Sequence, residues 1–336
     1  GTGCTVILSE SGMCAGLDVR GGGPASRESE LLKPLASAQE IHAVLLGGGS
    51  AFGLDAAGGV MQFLEEKGIG FDVGVTRVPL VCQSDIFDLT VADPHCRPDQ
   101  AMGYKACENA YLNNYQDGNF GAGTGATVGK FRGMDFCMKS GIGSYALQIG
   151  ELKVGAIVVV NALGDICDYH NGQIVAGMLC DDRKSFADSS GVLYQSFEVH
   201  ENKFTGNTTI GAIITNAQFD KSHLCKIASM AHNGYARSIR PVHTSADGDS
   251  IYALSVGNVS AINAGDAPII EEYPDMEDAE KDDEVNTGAE EEPLDIIDDD
   301  WSVETEEMSE TEEARETESD DPIGGDILIE LVEEVP

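Results

Sequence analysis

The feature that most constrains this chain is residues 154–160, VGAIVVV, a run without one polar side chain. A strand with one solvated face alternates apolar and polar residues, so a run with no alternation is expected to be buried on both faces. Such a strand needs a layer above it and a layer below it. The rest of the sequence indicates what those layers are. In residues 42–74, HAVLLGGGSAFGLDAAGGVMQFLEEKGIGFDVG, an apolar strand at 43–46 runs into Gly47, Gly48 and Gly49. Ser50 then stands where a helix cap belongs, and Phe52, Leu54, Val60, Phe63 and Leu64 follow at helical spacing until Gly68 ends the helix. Ile149-Gly150-Glu151 reads as a turn between two strands, residues 206–215 as a turn and a strand, 221–237 as a helix, and SADGDSIYALSVG as a final hairpin-like segment. The implied class is a mixed α and β domain with layered sheets.

Charge divides the chain. Of the formal net charge of -38, residues 271–336 carry -28, from 30 Asp and Glu against 2 Lys and Arg, leaving -10 for residues 1–270. That excludes a basic face for nucleic acid. Beyond about Asp266 the apolar periodicity fades, so residues 1–265 are expected to form the folded domain and 266–336 a disordered acidic tail whose partner is left open. Within that tail only residues 326–335, DILIELVEEV, are apolar enough to dock as a short helix or strand. No stretch approaches the length of a transmembrane helix. The nine cysteines are odd in number, scattered and without a CxxC pair, which points to free thiols in a reducing, cytoplasmic setting. The seven histidines show no HExxH spacing, and no metal or other cofactor is expected. The chain opens on Gly1 instead of Met, so a start further upstream is expected, with any signal peptide lost along with it.

Two glycine-rich stretches invite functional readings that counting weakens. GNFGAGTGATVGK, residues 118–130, has Thr124 where a Walker loop needs Gly and Phe131 where it needs Ser or Thr. Gly121-x-Gly123-x-x-Ala126 fits a loose dinucleotide fingerprint, but neither an apolar strand before it nor a clean helix after it accompanies the match. Gly48-Gly49-Ser50-Ala51-Phe52 resembles a nucleophile elbow whose last glycine is replaced by Phe52. A third stretch, GNTTIGAIITNA at 206–217, puts Thr208 where a loop enters a strand. A threonine hydroxyl is a poor nucleophile without a base. If Thr208 headed its own chain, its α-amine, with a pKa near ~7.7–8.0, would be that base. Reaching that state requires a break between Asn207 and Thr208. On these residues alone the ordinary reading, Thr208 as a first strand residue, is the stronger one, because Asn-Thr before a strand is common.

TGCTVILSESGMCAGLDVRGGGPASRESELL, IHAVLLGGGSAFGLDAAGGVMQFLEEKGIGF, GNFGAGTGATVGK, VGAIVVVNALGD, GNTTIGAIITNA and MAHNGYARSIRPVHTSADGDSIYAL occur in that order across residues 1–257. Together they resemble the DmpA/NylC family of D-aminopeptidases, β-aminopeptidases and nylon-oligomer hydrolases. The resemblance implies an α+β fold, a four-layer αββα sandwich, in a self-cleaving N-terminal nucleophile hydrolase that forms homo-oligomers. It implies cleavage between Asn207 and Thr208, with Thr208 as nucleophile of an amidase or aminopeptidase acting on small peptides or amides. Asn161 would help hold the oxyanion, Lys130 would line the centre and tune the amine, and Asp247 and Asp249 would orient Thr208. Ser50, Phe52, Phe87 and Asp88 match motifs expected to line the substrate pocket. Two rival functions stay open: a self-cleaving acyltransferase of the ornithine acetyltransferase type, which also uses a self-cleaved threonine, and an inactive scaffold whose acidic tail recruits a partner.

Overall fold

The computed structural model describes residues 1–112, 115–195, 207–260 and 327–333. Its main strands are β1 Gly3–Val19, β2 Ala25–Arg27, β3 Ile41–Gly47, β4 Val81–Asp85, β5 Ile142–Ile149, β6 Leu152–Asn161, β7 Thr208–Gln218, β8 Ser250–Ser260 and β9 Ile327–Glu333. The helices are α1 Ala56–Glu66, α2 Gln100–Ala110, α3 Ser189–Gln195 and α4 Lys221–Ser238.

The 17-residue β1 belongs to two sheets at once. Its first half pairs antiparallel with β3, Cys4 opposite Gly47 through Leu8 opposite Ala43. After a register shift between Leu8 and Met13, its second half pairs antiparallel with β8, Cys14 opposite Ser255 through Val19 opposite Ser250. One sheet then runs β2-β4-β3-β1 and the other β1-β8-β7-β6-β5. Ile7, Val44, Leu46 and Cys82 of the first sheet face Ile157, Val159, Ile210, Ala212, Ile214, Tyr252 and Leu254 of the second, forming a dry inter-sheet core. On the far side of the first sheet, Val6, Leu8, Ala43 and Leu45 pack on Val60, Phe63 and Leu64 of α1 and on Ala106 of α2. On the far side of the second, Ile251 and Ala253 pack on Leu224, Ala228 and Tyr235 of α4. The order of layers is helix, sheet, sheet, helix, as the resemblance implies. Each fully buried Leu, Ile or Val contributes roughly 1.5–3 kcal/mol, so the inter-sheet core alone outweighs any single polar contact.

Three expectations need correction. Ser50 does not cap a helix: it opens a short 3₁₀ turn, Ser50–Asp55, and α1 begins only at Ala56. Residues 154–160 are not buried alike on both faces. Gly155, Ile157 and Val159 are buried between the sheets, but Val154, Ala156, Val158 and Val160 are half-covered or more open. Of these, Ala156, Val158 and Val160, with Tyr145, Met230 and Gly234, line a groove of about 780 Å³ beside α4. The acidic tail is not wholly without structure, because residues 327–333 form β9, antiparallel to β1, with Gly3 opposite Glu333 and Ser9 opposite Ile327. The acidic tract at 266–326 lies outside the described residues. No disulfide joins any of the nine cysteines. Among the described residues no helix is long and apolar enough to cross a membrane.

Candidate active site

Strand direction brings the candidate residues together. Strands β7 and β8 are parallel, Ile210 opposite Ser250, so the residues that introduce both strands lie at the same end of the sheet. Strand β6 is antiparallel to β7, and its last residue, Asn161, stands opposite the first residue of β7, Thr208. Asn161, Thr208 and the Asp247-Gly248-Asp249 segment thus meet at one sheet end, the side chains of Asn161, Thr208, Asp247 and Asp249 all being buried.

Lys130 reaches this point from a loop bonded to the chain just beyond β6: the Gly129 and Lys130 N–H groups donate to the Gly164 and Leu163 carbonyls at 3.0 Å each. Gly129 has φ +71°, and a side chain there would run into the Gly177–Met178 backbone, so glycine is required to aim Lys130 inward. Lys130 Nζ donates to Asn161 Oδ1 at 2.8 Å and to the Asn161 carbonyl at 3.0 Å. Asn161 Oδ1 also accepts from the Thr127 N–H at 3.0 Å, and Asn161 Nδ2 donates to the Phe87 carbonyl at 3.0 Å.

Around Thr208 the contacts are close. Its hydroxyl donates to the carbonyl oxygen of Asn207, the residue it would be cleaved from. The next N–H, of Thr209, donates to Asp249 Oδ1 at 2.7 Å. A Cβ on Gly248 would lie 2.7 Å from Thr208 Oγ1, so only glycine lets that segment close over the hydroxyl. Asp247 is held from its own loop, accepting from the Thr244 N–H at 2.8 Å and the Thr244 hydroxyl at 2.6 Å.

Burial sets the charges. It pushes Lys130 down from 10.5 to about 7, against the pull of Asp247, Cys137, Asp88 and Asp249. Burial raises Asp247, and the like charge of Asp249 raises it further. Asp88 is raised by burial too, although the Gly49 N–H bonds its Oδ1 at 2.7 Å. The result is an amine poised near neutrality among carboxyls that ionise reluctantly.

The four pocket candidates divide. Phe87 touches the centre through its carbonyl, and Asp88 through its field on Lys130. Ser50 is half-buried on the neighbouring loop, where its N–H donates to the Ile86 carbonyl at 3.0 Å. Phe52 is 57% exposed and lies under the Arg97 guanidinium, 3.5 Å from the ring centroid. Neither is bonded to Thr208, Asn161 or Lys130. None of the candidates lines the groove beside α4. Sequence reading missed Thr127, Thr244 and His243, which buttress Asn161, Asp247 and Asp249. A threonine three residues before an aspartate, as in Thr244 and Asp247, is the one local signal that could have found any of them.

Residues 1–291 match peptidase family S58. The chain is 41% identical to an uncharacterized aminopeptidase of Mycobacterium leprae over 80% of its own length and 74% of the relative's. It is 30% identical to a 6-aminohexanoate-oligomer endohydrolase of Kocuria sp., over 77% and 70% of the two chains. Among solved structures it resembles the L-aminopeptidase D-Ala-esterase/amidase of Ochrobactrum anthropi, described as a variant of the Ntn hydrolase fold, with a TM-score of 0.55 at 17% identity. That superposition covers 76% of this chain and 65% of the solved one, so the chain spans about two thirds of its structural neighbour. A β-aminopeptidase of Burkholderia sp. superposes with a TM-score of 0.50 at 20% identity, over 76% and 66% of the two chains.

Proposed function

The chain belongs to peptidase family S58, and from that premise we propose that it is an autoprocessing aminopeptidase or amidase whose nucleophile is Thr208. The observation that carries this reading is the Thr208 hydroxyl resting on the Asn207 carbonyl, in a buried site shared with Asn161, Lys130 and Asp249. In the first reaction Thr208 Oγ attacks the Asn207 carbonyl carbon and loses its proton to Lys130, which a pKa of about 7 makes partly neutral at neutral pH. Asn161, its side-chain amide fixed by Thr127, Lys130 and Phe87, supports the oxyanion without reorganising. Collapse breaks the Asn207–Thr208 C–N bond, the proton passes to the departing nitrogen, and an ester joins Asn207 to Thr208 Oγ. Water hydrolyses the ester, leaving an Asn207 carboxylate and a free Thr208 amine.

In turnover that amine takes the hydroxyl proton as Oγ attacks a substrate amide. The leaving amine receives the proton, and water releases the acyl group from Thr208. Asp249, through the Thr209 N–H, and Asp247 hold the new terminus in place. Small peptides or amides are the substrates, in keeping with the names of the relatives. The enzyme works as a cytoplasmic homo-oligomer, a setting that suits nine cysteines without a disulfide.

Intact-mass measurement of the purified protein tests the proposal. Pieces of 207 and 129 residues are expected, the smaller beginning at Thr208. Thr208→Ala should leave the chain whole and inactive. An active preparation that is uncleaved removes the mechanism.

A further inference from the structure

Behind the site lies a half-buried histidine, His243, that the reaction above does not use. Asp249 Oδ2 accepts two bonds from one residue, His243: its backbone N–H at 3.1 Å and its ring Nδ1 at 2.9 Å. Both Asp249 oxygens accept backbone N–H groups, so the imidazole Nδ1 is assigned as the donor in this pair. The other oxygen, Oδ1, accepts the Thr209 N–H at 2.7 Å. His243 thus fixes one side of the carboxylate while the residue after the nucleophile hangs on the other. Thr244, its neighbour, does the same for Asp247.

The ring is itself wedged. It meets His232 edge-on, with centroids 4.8 Å apart, and lies 6.2 Å from the Tyr235 ring. His232 is fully buried and anchored through Nε2 to the Asp18 carbonyl at 3.1 Å. The backbone at His243 adopts a left-handed conformation, φ 55°, which a residue with a branched or bulky side chain avoids. A strained residue whose side chain and backbone N–H both bond one catalytic-loop carboxylate is built to aim that carboxylate.

We propose that His243 is a positioning residue: its Nδ1–H locks Asp249, and Asp249 in turn locks the Thr209 N–H and the orientation of Thr208. The inference rests on Thr208 being the nucleophile, so its test has one arm that does not need activity. Asparagine tolerates left-handed backbone and places an N–H close to where histidine has Nδ1–H, whereas glycine tolerates the backbone and has no donor. His243→Gly should slow cleavage and lower kcat by roughly 10²-fold with KM little changed, the size of effect expected from misplacing a reacting group. His243→Asn should recover most of that loss. In the uncleavable Thr208→Ala protein, amide exchange at Thr209 should be about tenfold faster with His243→Gly than with histidine or asparagine at that position. Equal exchange in all three proteins, or an asparagine variant no better than glycine, overturns the proposal. A wild-type chain that stays whole sinks the nucleophile instead, and the exchange arm still decides whether His243 holds Asp249.

Discussion

Lys130 gives the sharpest quantitative test, because its burial ties stability to pH. The side chain is 8% exposed, and burial lowers its pKa from 10.5 to about 7. At about 1.4 kcal/mol per unit, that drop corresponds to roughly 5 kcal/mol of unfavourable charge burial at low pH. The sign follows from proton counting. Between pH 7 and 10.5 the unfolded chain holds a proton on Lys130 that the folded chain has released, so stability rises with pH across this window. Lys130→Met removes the proton and with it the slope. It also removes the two bonds to Asn161, but those shift the absolute difference, while the slope depends on the proton alone. Urea unfolding is best compared in a Thr208→Ala background, which keeps one covalent chain and a single transition. Far-ultraviolet circular dichroism is the suitable probe, since the one tryptophan, Trp301, lies outside the described residues. Lys139, also lowered by burial, to about 8, titrates in both proteins and cancels. Cys82 and Cys107, both raised by burial to about 12, act with the opposite sign at higher pH and also cancel. From pH 7.5 to 8.5 the lysine protein should gain roughly 1 kcal/mol on the methionine protein. A difference that stays flat over this range would falsify the claim that Lys130 is held near neutrality.

Three further outcomes are expected. Asn161→Ala should cost roughly 10²–10³ in kcat, the usual loss for one oxyanion donor, and unchanged turnover in fully cleaved protein would reassign Asn161 to structure. Gly248→Ala places a methyl 2.7 Å from Thr208 Oγ1 and 2.9 Å from the Gly23 carbonyl. Self-cleavage followed by mass should therefore slow by about 10-fold or more, and a wild-type rate would show that the segment can retreat without consequence. Truncation after Asp326 removes β9. Ordering seven residues costs about 1–2 kcal/mol each, close to what their pairing returns, so the urea midpoint should move little. The uncovered edge of β1 should instead show as concentration-dependent light scattering beyond that of the full chain, and scattering that matches the full chain would refute this role.

How much was legible in the sequence depends on range. The layers were readable because apolar runs and glycine turns are local signals; α4 and the β5–β6 hairpin fall where the periodicity put them, while α1 ends before Gly68 as expected but starts only at Ala56. Thr208 was readable only as a position, a threonine at a loop-to-strand junction. Asn161, Lys130, Asp247 and Asp249 came from motif order, because nothing local says that residues 130, 161, 208 and 249 meet. The Ser50 expectation failed because Ser50 sits at φ 55°, where the chain turns before the helix can begin. Strand β9 lies within residues 326–335, the stretch apolar enough to dock, but the choice of strand and its partner were not legible, since charge density describes how a segment is solvated and not whether it can add to an open edge. His243 gave no signal, because its partner is six residues away through a left-handed turn.

The site therefore depends on register. A one-residue slip of β6 against β7 would turn Asn161 away from the inter-sheet side and put a valine or alanine opposite Thr208. The all-apolar run at 154–160 cannot prevent this, because either of its faces would satisfy the core. The lock is polar and lies at the other end of the strand pair. The Asn216 side chain accepts the Lys153 N–H at 2.8 Å and donates to the Glu151 carbonyl at 2.8 Å, and the Thr215 hydroxyl donates to the Lys153 carbonyl at 3.0 Å. These bonds fix Val154 opposite Thr215, and the ladder carries that register to Asn161 opposite Thr208. Strand β8, parallel to β7 from Ile210 opposite Ser250, brings Asp249 beside Thr209 by the same geometry. Asn216 and Thr215, at the far end of the strand pair, thus decide which residue faces Thr208.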